Sequence, residues 1–114
     1  MTRRGFLAGL LGAAACAPKP IERTGNPWDY PTDKAGNVWP EACRRDLSAE
    51  TAYVPMARVP RAVIGGANGK TFFFGTPGDE VINIADDLDP DSYAYRDTLQ
   101  HERTHIVCGI GWHA

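Results

Sequence analysis

DSYAYRDTLQHERTHIVC, residues 91–108, carries the spacing from which the rest of the chain is best read. Asp91 or Ser92 offers a side-chain oxygen to the first free backbone N–H groups of a helix, and Tyr95, Leu99 and Ile106 then recur at helical intervals on one apolar stripe. Gly109 and Gly111 end the periodicity. A helix from about residue 91 to Cys108 is therefore expected, with its stripe packed on a sheet. The acids just before it, Asp86–Asp91, read as capping residues, because they lack the Gly and the terminal Glu of the common calcium loop.

Working outward, Glu80-Val81-Ile82-Asn83-Ile84-Ala85 is a strand, and Thr76-Pro77-Gly78-Asp79 before it is a turn. Thr71-Phe72-Phe73-Phe74 is β-prone, with its rings expected in the core on one face. Asn68-Gly69 reads as a hairpin turn, and Gly65 to Gly69 is a turn rather than a phosphate loop. Arg61-Ala62-Val63-Ile64 is another β-prone run. Tyr53–Val59, interrupted by Pro55, is an edge or irregular strand. Glu41–Ala49 allows a short helical turn containing Cys43. The expected fold class is α+β, a small antiparallel sheet packed on one main helix.

The chain opens Met1-Thr2-Arg3-Arg4-Gly5-Phe6-Leu7 and continues through an uncharged stretch to Ala15. A basic start, a short apolar middle and a small-residue end make residues 1–15 a signal peptide. Thr2 to Leu7 resembles the twin-arginine export signal; a general secretory signal is the alternative. Ala13-Ala14-Ala15-Cys16 resembles a lipobox, with Ala13 where Leu is usual, which implies a lipid on Cys16. Cleavage at an Ala-x-Ala site competes, but Pro18 follows closely. Lipidation takes Cys16 out of the count, and Cys43 and Cys108 can then pair in an oxidising compartment.

Five prolines between residues 17 and 40 make residues 16–40 a lipid-anchored tether, though Trp28, Tyr30 and Trp39 are apolar enough for its later half to wrap onto a domain at 41–114. The net charge of −2 argues against a nucleic-acid surface, and no 18-residue apolar run is present. The expected location is the bacterial cell envelope, on its periplasmic or outer-membrane side.

His101-Glu102-Arg103-Thr104-His105 matches the pattern H-E-x-x-H. Residues four apart on a helix lie about 40° from each other around the axis, so both imidazoles can reach one Zn²⁺. Glu102 then stands beside the first ligand, where it can take a proton from water. Arg103 and Thr104 are the variable positions, expected in solvent. All three histidines, His101, His105 and His113, fall near the end of the chain.

The strand, helix and tail resemble the zincin metallopeptidases. In one branch the third ligand is a Glu well downstream, further than the nine residues after His105 reach. In the metzincin branch the pattern continues to a Gly and a His, and Cys108 and Gly111 stand at those positions instead. His113, just past Gly109 and Gly111, is the preferred third ligand. Cys108 and an upstream carboxylate compete with it, while Asp97 is placed as an acceptor for an imidazole N–H. The resemblance implies a zincin-like core and a Zn²⁺-dependent hydrolase, most simply a peptidase, with Glu102 as general base and a peptide or protein as substrate. A non-catalytic lipoprotein with a structural metal, acting in envelope assembly, is the alternative.

Overall fold

The computed structural model describes residues 22–76 and 78–113. The expected signal peptide at residues 1–15 and the expected lipidation site Cys16 lie outside the described residues. Helix α1 spans Tyr93–Cys108. Ser92 caps it, its hydroxyl accepting from the Tyr95 N–H at 3.2 Å. Gly109 ends it at φ 122, a conformation that favours glycine, and its N–H still bonds to the His105 carbonyl.

Three strands form one sheet: β1 (Met56–Val59), β2 (Gly69–Phe73) and β3 (Glu80–Ala85). Their order is β1-β3-β2, with β3 in the middle. β2 runs antiparallel to β3, pairing Thr71 with Ile82. β1 runs parallel to it, pairing Met56 with Ile82. The sheet is therefore mixed, not antiparallel throughout. A parallel pair needs a long crossover, and everything between β1 and β3, including β2, serves as that crossover.

Local chemistry explains two further departures. Arg61–Ile64 is a 3₁₀ turn rather than a strand. Pro60 precedes it and Gly65 closes it in the left-handed region at φ 68, so the chain turns and plugs Ile64 into the interior. Nor is Asn68-Gly69 a hairpin turn, since Gly69 is the first residue of β2. A Cβ on Gly69 would lie 2.6 Å from Thr98 Cγ2. This glycine lets β2 approach α1 closely. The β2–β3 connection instead uses residues 74–79, where the Asp79 N–H bonds to the Thr76 carbonyl.

Val54, Ile82 and Ile84 form the core, with Leu88, Tyr95, Leu99 and Ile106 packed against them. Phe72, Phe73 and Phe74 are not part of it; none is buried, because Gly69 and Thr71 face α1, which leaves Phe72 and Phe74 on the opposite face of the sheet. The other side of α1 is buried and polar, and the chain before β1 covers it. Gln100 Nε2 donates to the carbonyls of Cys43 and Arg45 at 2.9 and 2.8 Å. Thr104, expected in solvent, is fully buried and donates to the Gln100 carbonyl at 2.8 Å; Arg103 is half-buried.

The segment assigned to a tether up to residue 40 builds much of this cover. Pro27, Asp33 and Trp39 are buried in it. The folded unit thus begins well before residue 41, since apolar rings and a bonded carboxylate gain more from the helix than from water. Cys43 and Cys108 form a disulfide that ties this cover to the end of α1. No helix among the described residues is long and apolar enough to cross a membrane.

Candidate metal centre

His101 and His105 lie one turn apart on α1, and the tail returns His113 to them. Their ligand nitrogens all fall within 4.8 Å of one another. His105 Nε2 is 3.2 Å from His101 Nε2 and 3.0 Å from His113 Nε2. The other nitrogens of the helical pair are engaged. His101 Nδ1 donates to Asp33 Oδ2 at 2.8 Å, and His105 Nδ1 to the Gly109 carbonyl at 3.2 Å. A carboxylate and a carbonyl have no proton to give, so each ring carries its proton on Nδ1. With both rings neutral, the two Nε2 atoms present lone pairs to each other. Two such acceptors at 3.2 Å repel unless a proton or a metal ion sits between them. The three histidines can hold a metal ion.

Asp33 is the residue the sequence did not expose. Its loop is closed by its own carboxylate, which accepts from the Asn37 backbone and side-chain N–H groups at 2.8 and 2.9 Å. Gly36, at φ 94, makes that turn possible. Burial alone would raise the Asp33 carboxyl, but the bonds from His101 and Asn37 outweigh it and hold it at about 2. An ionised acceptor therefore orients the His101 ring. The Asp33 to Asn37 stretch reads locally as a turn, and nothing in it points to a histidine near the other end of the chain.

Asp97, expected in that role, does not fill it. Its two oxygens accept from the Lys34 backbone N–H, both at 3.3 Å. Asp97 lies one turn before His101 on the same side of α1, but the loop at Asp33 takes the ring's Nδ1 instead. Burial raises the Asp97 carboxyl to about 6.

Glu102 is buried, with Oε2 4.0 Å from His101 Nε2 and Oε1 accepting from Thr71 Oγ1 at 2.8 Å. Burial pushes its carboxyl up, and the Thr71 bond partly offsets this. Burial likewise lowers His105, with the neighbouring His101 adding to the effect, which favours the neutral imidazole a metal requires. His113 is exposed and is set by its neighbour. The Trp112 ring stacks on Trp39 at 5.1 Å and its Nε1–H donates to the Val38 carbonyl at 2.8 Å. Cys108, bound to Cys43, offers the centre no thiolate.

A cleft of about 380 Å³ opens on the centre, between the tail and β2, with Phe73 and Ile110 on its walls. The Ala85 N–H bonds to the Asn68 carbonyl at 2.8 Å. By the alternation of an antiparallel ladder, Gly69, Thr71 and Phe73 turn their backbone N–H and C=O groups away from β3, to the open edge.

No family model matches the chain, and no curated protein or solved structure matches it.

Proposed function

We propose that the chain is a zinc-dependent hydrolase of the metallopeptidase type, zincin-like in its core and held at the cell envelope by a lipid on Cys16. The observation that carries this is the pair of Nε2 atoms on His101 and His105, facing each other 3.2 Å apart beside His113 and Glu102 while each ring's Nδ1 is engaged elsewhere. Two nitrogens at tetrahedral positions about 2.0–2.1 Å from one Zn²⁺ stand about 3.3–3.4 Å apart, close to the 3.0 and 3.2 Å found here. Three imidazoles also suit zinc better than calcium or magnesium, which prefer oxygen.

A bound Zn²⁺ lowers the pKa of water towards about 7 and polarises a carbonyl. The chain's own groups complete the reaction. Asp33 holds the His101 ring in one tautomer. Thr71 occupies one oxygen of Glu102, leaving the other, nearer His101, to hold the attacking water and take its proton. Glu102 then delivers that proton to the leaving amine. The open edge of β2 aligns an extended peptide by strand addition.

The Cys43–Cys108 disulfide favours catalysis over a structural metal. A closed structural site takes four protein ligands, usually including Cys, and the nearest cysteine is already committed. The test compares zinc content and peptide-library cleavage for the wild type and Glu102→Gln. Cleavage lost with zinc retained is expected. Bound zinc without cleavage of any peptide by the wild type would leave the non-catalytic lipoprotein, and absence of zinc would end both.

A further inference from the structure

A second cavity, about 230 Å³, lies on the other side of the histidines, between α1 and the loop at Asp33. It shares Gly69, His101 and Glu102 with the 380 Å³ cleft, so the two adjoin along α1 and β2 as halves of a groove, and His105 and His113 line only the larger half. Their chemistry differs. The larger half is bordered by Phe73 and the exposed Ile110. The smaller half contains the carboxylates of Asp33, Asp97 and Glu102.

Two of those three carboxylates are committed. Asp33 is bonded to His101 and Asn37, and Glu102 to Thr71. Asp97 has only one backbone N–H, shared between its oxygens at 3.3 Å, although it is 93% buried, being 7% exposed. Among the described residues no lysine, arginine or histidine pairs with it. Arg23, whose charge is felt at Asp97, is bonded to Thr32 instead. A buried carboxylate without a cation is costly unless something supplies one.

The geometry points to the Asp97 cavity as a specificity pocket that takes the cationic side chain, lysine or arginine, of the substrate segment lying in the groove. A hard metal ion is a poor occupant, because it needs six or more oxygens and those of Asp33 and Glu102 already serve His101, Asn37 and the metal centre. A terminal amine is less suited, since Asp97 is buried and a long side chain reaches it more readily. The carboxylate also accepts a guanidinium in the two-pronged fashion that both of its oxygens, now sharing one weak donor, leave available. This assignment rests on the hydrolase proposal for the meaning of the groove, but the binding it requires does not depend on zinc.

The test is binding of Nα-acetyl-arginine amide to the full chain, followed by NMR at neutral pH, with zinc bound and after chelation. Expected are shifts at Ala94, Asp97 and Thr98 in both states. Nα-acetyl-norleucine amide, which keeps the length and drops the charge, is expected to bind at least 10-fold more weakly. Asp97→Asn, nearly isosteric, is expected to weaken the arginine probe by at least 10-fold. Equal binding of the arginine and norleucine probes to the wild type would overturn the proposal, and that comparison needs no variant. Binding of alanine amide, through its free amine, as strong as that of the arginine probe would overturn the side-chain assignment. If the arginine probe binds as expected and no peptide is cleaved, the pocket stands and the hydrolase proposal falls.

Discussion

His101 Nδ1 and Asp33 Oδ2 meet at 2.8 Å across sixty-eight positions of the chain. The contact fixes the ring's proton on Nδ1 and turns Nε2 towards His105. Partners of this kind change metal affinity by about 10–100-fold in other sites. Asp33→Asn is therefore expected to weaken zinc binding by about that factor while α1 stays folded. Chelator competition measures the first and circular dichroism the second. Unchanged affinity would mean the ring is held by its packing alone.

Asp97 yields an expectation of opposite sign, a gain of stability on removing a charge. Burial raises its carboxyl to about 6, above the ordinary value of about 3.9. The folded chain then holds this proton more tightly than the unfolded chain. Stability is lost as pH rises from about 4 to about 6 and stays lost above. Asp97→Asn should raise stability by about 1–2 kcal/mol at pH 8, since some of the gain is offset by a weaker bond from Lys34. The advantage should vanish near pH 4. Urea titrations of the metal-free pair at the two pH values measure it, and the difference between variants cancels the histidines. A variant less stable at pH 8 would contradict the assignment of Asp97 as a buried, unpaired charge.

The disulfide joins positions 65 apart. Closing a loop of that length stabilises a fold by about 4 kcal/mol in the chain-entropy account. Replacing Cys43 and Cys108 together by Ala should remove stability of that order. Cys108 lies between His105 and the tail, so zinc affinity should fall as well, through the loosened placement of His113. Thermal unfolding and zinc titration of the same preparation report the two effects. A variant that loses stability but keeps full affinity would show that the Trp39–Trp112 stack places the tail by itself.

How much of this was legible depends on how far apart the partners lie. The helix was readable with its cap at Ser92 and its end near Cys108, because capping and apolar periodicity act within a few residues. The strand Glu80–Ala85 was readable for the same reason. Asn68-Gly69 misled, since a glycine that serves a turn and a glycine that admits a neighbouring helix look identical in sequence. Arg61–Ile64 misled because Pro60 and Gly65 on either side impose a turn that the β-prone residues between them do not announce.

His101, Glu102 and His105 come together by helical geometry alone, which is why five adjacent residues were enough to indicate a centre. Asp33 at His101, Trp39 under Trp112, and the buried Asp97 carboxylate without a cationic partner among the described residues were decided only when the segment before β1 folded over α1. The parallel placement of β1 belongs with them. Local propensities act between neighbours and are written in the order of the residues. Contacts between distant residues depend on which surfaces bury together, and only the folded chain settles that competition.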